Sequence, residues 1–456
     1  MMMMTFTRVS NSRPLLSTVA LLNSCGNSRL YTTSGVSAHL PSHNRDKKIL
    51  IHGTDATGVS LALFLKRRGI SSELVDTGSP STRSDRGMII GGNEIRALKQ
   101  NGVFESIYRK SKDISSSVVA SRDGDVYGQC QFEKCLPTLP FALTESTYVE
   151  TLLQECLSTP QSGEGIVKLR RGETKLTLQQ PKNQQVSTTN NKIFVSYSET
   201  SKAAYDLVVG CDPHSNSNDI QSVSPVRSYM LRDATPNNIA EQYPEQLYHF
   251  RTVINRPQLF PSIAMQQFAT EKRLLTFPLP NDRLAVSGSF KKPLQSSPVG
   301  DVPRNKIFQT FLDFEDIGAH IITEFLESAP ESLKLEKTES NRLVSYISSA
   351  GNVVVIGEAA DRLAGGSFES NFIGIEDAYQ LAELISGSPT SVDQLMVLFN
   401  QQRQTRIKSI LETINHQEHI VYKGGWQVRL FGKYYLRRYF SQRSQSKRIR
   451  QITGSN

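Results

Sequence analysis

Two segments about three hundred residues apart limit what this chain can fold into. In the first, Ile49-Leu50-Ile51 is a short apolar run ending near Gly53, as a buried parallel strand would. Val59 and Leu61 to Leu65 then fill a helix that ends in Lys66-Arg67-Arg68-Gly69, with Gly69 suited to the C-cap. Glu73 to Asp76 reads as a second strand with an acid at its end. Strand, glycine turn, helix and strand, with Asp76 a little over twenty residues after Gly53, is the fingerprint of a dinucleotide-binding unit. The acid can bind an adenosine ribose, and the helix N-terminus can receive a diphosphate. In the second segment, Val353 to Ile356 reads as another buried strand, running into Gly357 and Glu358 and followed by Gly374-Ile375-Glu376-Asp377-Ala378.

One position contradicts the fingerprint. The second glycine, which lets a diphosphate approach the backbone, is Asp55. A carboxylate there adds bulk and like charge; at ~4 Å and an effective dielectric near 20 the repulsion per charge pair reaches roughly 4 kcal/mol.

The two segments together resemble the two ends of the FAD site in flavoprotein aromatic hydroxylases, the p-hydroxybenzoate-hydroxylase-like monooxygenases, and the likeness runs from about residue 48 to 420. Asp85 to Asn93 followed by Ile95, Leu98 and Gly102 to Ile107 resembles the family stretch whose arginine lies near the flavin and its diphosphate, here Arg86. The family's next arginine aligns with Glu145. Tyr205 to Ser215 resembles "A-D-L-V-V-G-A-D-G-x-x-S", which gives Asp212 a cofactor role and puts Pro213 where the family has glycine. Glu358 stands where the family has the aspartate that binds the ribityl chain, and Ser367, Phe368 and Ser370 replace flavin-side glycines. Leu274 to Ser287, a hairpin turning at Asn281-Asp282, is similar to the strand pair that closes the family's substrate pocket.

The resemblance implies an α/β fold: a Rossmann-like FAD-binding domain with an inserted mixed-sheet substrate domain and C-terminal helices. The expected division is a presequence over 1–31, FAD-binding segments over 48–225 and 336–400, a substrate domain over 226–335, and C-terminal helices with a basic tail over 401–456. The implied cofactor residues are Gly53, Gly58, Asp76, Arg86, Asp212, Gly357 and Glu358, with FAD as cofactor, NAD(P)H as reductant, and no side-chain nucleophile and no metal. The Arg86 stretch and the N-terminus are similar to the ubiquinone-ring hydroxylase branch, the Gly374 segment to the salicylate-hydroxylase branch. Phe311 to Leu326 reads as an amphipathic helix. Tyr248, His249 and His320 are either polar pocket residues or structural ones.

Composition adds compartment and partners. At 456 residues, 38 % hydrophobic and 21 % charged, the chain suits a globular protein of two or three domains, with no apolar run long enough for a spanning helix. Its five cysteines lack zinc or CxxC spacing and read as reduced structural thiols. The net charge of +9 belongs to the ends: residues 1–45 carry +4 and 421–456 carry +9, which leaves the body at −4. The basic balance is therefore no argument for nucleic-acid binding by the core. The acid-free, Ser- and Arg-rich start resembles a mitochondrial presequence, with Arg29-Leu30-Tyr31-Thr32 as a processing site, so the expected location is the matrix or the matrix face of the inner membrane; the alternative is a Ser-rich tail with no address. Trp426 to Phe440 interleaves aromatics with cations, which suits an inner-membrane surface, a protein partner, or packing on the body; no nucleic-acid recognition module accompanies it. Two functions follow: a monooxygenase that hydroxylates an aromatic or quinone-type ring with NAD(P)H and O2, or a member that has lost normal FAD binding and works as a scaffold or assembly partner.

Overall fold

The strand Ile49–His52 lies at the centre of a five-stranded parallel sheet, in the order 353–355, 207–210, 49–52, 72–76 and 167–171. The computed structural model describes residues 46–454, apart from 77–85, 173–175, 180–191, 198–200, 212–223, 234–238, 243–247, 292–299, 338–340, 361–368, 388–391, 424–425 and single positions 259, 270, 316 and 344. Leu50 is paired with Val208 on one side and Glu73 on the other, and Val209 with Val354. The first four strands in that order are buried along their whole length, which suits the apolar runs of 353–355, 207–210 and 49–51. The edge strand Val167–Arg171 is half exposed and correspondingly charged.

Helices α1 (Ala56–Arg67), α2 (Gly92–Gln100), α3 (Phe104–Tyr108) and α4 (Glu145–Leu157) precede α5 (Pro225–Asp233), which packs Val226 onto Gly210 and Val355. Then come α6 (Arg304–Thr310), α7 (Ile317–Ser328), α8 (Glu369–Gly387), α9 (Val392–Lys423), α10 (Trp426–Tyr439) and α11 (Gln442–Thr453). α1 is buried on nearly every face, between the sheet, α4 and α8. Each of its large apolar side chains (Leu61, Leu63, Phe64, Leu65) contributes roughly 1.5–3 kcal/mol on burial. It ends as its sequence indicates: Gly69 takes φ 76°, and the amides of Gly69 and Ile70 donate to the carbonyls of Lys66 and Leu65. Lys66 is fully buried, and its Nζ caps the C-terminus of α4, donating to the carbonyls of Glu155 and Ser158 at 2.7 and 2.8 Å.

A second, eight-stranded sheet carries the other half of the molecule, in the order 300–303, 332–337, 248–255, 283–290, 272–279, 264–269, 116–121 and 126–131. Its last two strands come from the segment expected to serve FAD binding, joined through a parallel pairing of 116–121 with 264–269. The hairpin over 272–290 forms as expected, with Asn281 and Asp282 at φ 58° and 51°, a region those residues tolerate. The helix expected from Phe311 begins only at Ile317. Phe311 to Phe314 instead forms a turn whose aromatic rings fill the core against Phe250 and Phe290, while Asp313 pairs with Lys272 at 3.0 Å. His249 is buried and bonded to Glu336 at 2.9 Å, Tyr248 stacks on Phe290, and His320 is exposed, so all three are structural or surface residues.

Four cysteines lie among the described residues, all buried thiols; burial pushes Cys130 and Cys156 each up to about 12. No described helix is long and apolar enough to cross a membrane. The C-terminal helices dock on the eight-stranded sheet. Phe440 packs on Val119 and Phe268, and its carbonyl comes so close to Gly128 that a β-carbon there would meet it at 1.8 Å.

Candidate cofactor site

In an open parallel sheet, ligands bind beyond the carboxyl ends of the strands, where the strand order reverses. Here that point lies between Ile49–His52 and Leu207–Gly210. Gly53 leaves the first of these strands at φ 115°, donating to the carbonyl of Val75 at 3.0 Å. Gly58 sits so close under the turn that a β-carbon would meet the Gly53 oxygen at 2.0 Å. Asp76 is buried at the end of the neighbouring strand, where its Oδ1 accepts from Thr54 Oγ1 at 2.7 Å.

The second segment closes onto the first. Gly357 has φ 60°, and β-carbons on Gly357 and Gly374 would meet Thr57 Oγ1 at 2.5 and 2.1 Å. Two elements therefore converge on one threonine of α1, and glycine is what lets them. Asp377 accepts from the Gly357 amide at 2.9 Å and pairs with the buried Arg403. Arg403 also binds Glu376 at 3.0 Å, and Glu376 holds Arg406 through both oxygens at 3.1 and 3.2 Å. Arg406 donates in turn to the carbonyls of Gln451 and Ile452 at the end of α11. Burial raises the Glu376 pKa, but Arg403 and Arg406 outweigh burial and hold it below the usual carboxylate range. The Gly-Ile-Glu-Asp-Ala motif thus ties the glycine turn at 357 to the C-terminal helices.

Charge is arranged differently at the rim. Asp55 is the N-cap of α1, its carboxylate accepting from the Gly58 amide at 2.9 Å. The strand Gly87–Ile90 runs antiparallel to Phe141–Thr144, which brings Arg86 opposite Glu145. The Glu145 amide donates to the Arg86 carbonyl at 2.7 Å, and its carboxylate meets the guanidinium at 2.8 Å. Glu358 approaches the same guanidinium at 3.7 Å and reaches Arg251, from the eight-stranded sheet, at 3.5 Å. Burial lowers the Arg86 pKa, but Glu145 and Glu358 outweigh that and raise it.

For a flavin dinucleotide these residues divide. The glycine turn, Gly58 and Asp76 fit the adenosine end. At the diphosphate and ribityl end, the cation Arg86 and the α1 N-terminus already hold carboxylates of this chain. Asp212, Pro213, Ser215, Ser367 and Phe368 lie outside the described residues, as do the side chain of Ser370 and the presequence. Of the expected cofactor residues, Gly53, Gly58 and Asp76 lie around the start of α1, Gly357 packs on Thr57 there, and the adjacent Glu358 approaches Arg86. Sequence reasoning missed Arg251, Asp377 and Arg403. Asp377 lay inside a motif already singled out, whereas Arg251 and Arg403 sit in strand and helix with no local signal.

Residues 46–224 match the family model of the FAD binding domain. Among curated proteins, the chain is 24 % identical over 384 residues to the 2-heptyl-3-hydroxy-4(1H)-quinolone synthase of Pseudomonas aeruginosa, covering 83 % of this chain and 90 % of that one. Its fold is similar to Klebsiella pneumoniae HpxO complexed with FAD and uric acid, with a TM-score of 0.69 at 13 % identity over 91 % of this chain and 98 % of that one. It is similar also to 2,6-dihydroxypyridine-3-hydroxylase from Arthrobacter nicotinovorans, with a TM-score of 0.62 at 14 % identity over 83 % and 93 % of the two chains. Motifs, family match and fold agree: residues 46–224 carry an FAD binding domain, and the chain as a whole is similar to FAD-dependent monooxygenases of the aromatic-hydroxylase type.

Proposed function

We propose that this protein is an FAD-dependent monooxygenase that hydroxylates a small aromatic or quinone-type ring with NAD(P)H and O2, in the mitochondrial matrix or on the matrix face of the inner membrane. One observation carries the reading: the switch point of the parallel sheet, with Gly53, Gly58, Asp76 and Gly357 at its edge, abuts the eight-stranded sheet. Gly87 lies against Ala285 and Phe277 of the hairpin, and Arg251 of that sheet reaches Glu358. A cofactor at the switch point therefore faces the sheet expected, from the family resemblance, to line the substrate site. Bound FAD supplies the redox and oxygen chemistry. The chain's own residues hold and orient it: Asp76 at the ribose, the glycine turn at the backbone approach, Arg86 and Glu358 along the rim.

A small aromatic substrate is supported by the relatives, whose names carry a quinolone and a dihydroxypyridine ring. The mitochondrial address rests on the acid-free first 45 residues. The exposed cations Arg437, Arg438, Arg443 and Lys447 support docking of the C-terminal helices on an inner-membrane surface or an acidic protein partner.

The test is the visible spectrum of the full chain purified with ample riboflavin, followed by release and assay of FAD and by NAD(P)H oxidation with ring substrates. FAD near one per chain, with substrate-stimulated NAD(P)H oxidation, is expected. A colourless, folded chain that takes up no added FAD overturns the reading and leaves the scaffold alternative.

A further inference from the structure

We propose that the diphosphate end of this cofactor site is held shut by the chain's own carboxylates, so that FAD binds only by displacing Glu145 from Arg86 and Asp55 from the N-terminus of α1. The inference rests on the FAD reading above and gives it a device: an internal competitor for the cofactor.

The geometry is built from independent parts. A helix N-terminus and a neighbouring guanidinium form a receptor for a dinucleotide diphosphate, because unsatisfied amides and a fixed cation point at one place. In this chain both are engaged. The Gly58 amide at the start of α1 is held by Asp55 Oδ1 at 2.9 Å. Arg86 Nη2 lies 2.8 Å from Glu145 Oε2, with both side chains largely buried at 15 % and 11 % exposure. The Glu145 backbone is pinned as well, by its own amide on the Arg86 carbonyl and by the Thr144 hydroxyl capping α4 through the Thr147 amide. Glu358 then sits between two guanidinium groups, 3.7 Å from Arg86 and 3.5 Å from Arg251. Among the described residues, Arg86 and Arg251 are balanced by Glu145 and Glu358, and Asp55 adds a negative charge at the turn. A diphosphate entering such a site gains no net cation and meets like charge. It binds well only after an acid has moved away and left Arg86 open.

The arrangement predicts that removing an acid tightens FAD binding. Replacing a negative charge beside the diphosphate by a neutral group removes a like-charge repulsion, and an effect of about tenfold or more in Kd survives solvent screening. Asp55→Gly restores the small residue at the turn, and glycine is itself a tolerated N-cap, only a few tenths of a kcal/mol poorer. Glu145→Gln keeps the side chain's size and removes its charge.

The experiment titrates FAD into the full chain, wild type and both variants, by quenching of flavin fluorescence, with riboflavin as the probe that lacks the diphosphate. Circular dichroism melts confirm that each protein is folded. The expected result is FAD affinity about tenfold or more higher in each variant, with riboflavin binding unmoved. Equal FAD affinity in the wild type and folded variants overturns the inference and leaves the FAD reading standing. Folded proteins that bind no FAD in any form overturn both. Tightening of FAD and riboflavin alike also overturns it, because the acids would then act on the ring site. Should Glu145→Gln fail to fold, Asp55→Gly decides alone.

Discussion

The glycines at 58, 357 and 374 and the acids at 55, 145 and 358 are linked by contacts around the start of α1 and Arg86, yet they are fixed by different physics. The glycines are set by space: at each, a β-carbon would fall within 2.5 Å of a neighbouring oxygen. The acids are set by charge: Asp55 on an amide of its own helix, Glu145 and Glu358 on the Arg86 guanidinium. A steric fit tolerates no substitution and ignores pH and salt. An electrostatic fit tolerates isosteric change, depends on protonation, and can be exchanged for another anion. The frame of this site therefore behaves as fold, and its rim behaves as function, even where the two are only a few residues apart in sequence.

The largest effect is expected at Arg403, where the comparison can break, since there charge serves the frame. Arg403 is almost completely buried and faces Glu376 and Asp377. Arg403→Leu leaves two buried carboxylates with a lost partner and costs about 3–5 kcal/mol. Its loss also frees Asp377 from the pair that orients it on the Gly357 amide. Urea unfolding should show the midpoint falling well below that of the wild type. Because Glu376 is held below its usual value, it contributes stability above about 4.5 that is lost as pH falls through its folded pKa. In Arg403→Leu that acid-side loss should shrink. A variant as stable as the wild type would mean that the cluster carries no net stability and that charge is confined to the rim.

The next effect separates two kinds of steric constraint. Gly58→Ala drives a methyl into the backbone oxygen of Gly53, 2.0 Å away, and backbone cannot yield cheaply. A loss of about 3 kcal/mol is expected. Gly374→Ala meets a side chain instead, Thr57 Oγ1 at 2.1 Å. Thr57→Ala should therefore rescue most of the loss in Gly374→Ala and none of it in Gly58→Ala, read as a coupling energy from thermal melts of the single and double variants. Equal rescue of both would show that the turn, rather than the two named contacts, sets the cost.

The frame was legible in the sequence because it obeys local rules. The run Ile49-Leu50-Ile51, the apolar filling of α1 and the glycine at its end each carry their own signal, and strand, helix and cap stand where those signals place them. Asp76 at the strand end was readable for the same reason. The hairpin at Asn281-Asp282 was readable from turn chemistry alone. What was not legible depends on distant pairing. Strands 116–121 and 126–131 join the eight-stranded sheet through a partner near residue 264, and nothing in their own residues says which sheet receives them. The turn at Phe311 was misread because a helical spacing of apolar residues also suits aromatic rings filling a core. Asp55 was read as an obstacle to a ligand. It is also a good N-cap, and one residue type serves both descriptions.

The smallest effect tests a buried carboxyl that belongs to neither class. Glu94 lies on the first turn of α2 and is fully buried, near Glu376 of α8, Arg406 of α9 and Tyr148 of α4. Burial first, and then Glu376, raise its pKa well above the ordinary carboxylate value. A raised folded pKa means that the folded state holds the proton more tightly than the unfolded chain does. The contribution to stability is therefore complete below about 4.5 and is lost as pH rises through the folded pKa. One group changes stability by at most about 1.4 kcal/mol per pH unit, so the effect is seen in the slope of stability against pH. Glu94→Gln keeps the shape and cannot ionise, and its melting temperature should fall less than that of the wild type between acid and alkaline pH. Parallel slopes would place the proton elsewhere, on Glu376, and would mean that the two acids share their arginines more evenly than their contacts indicate.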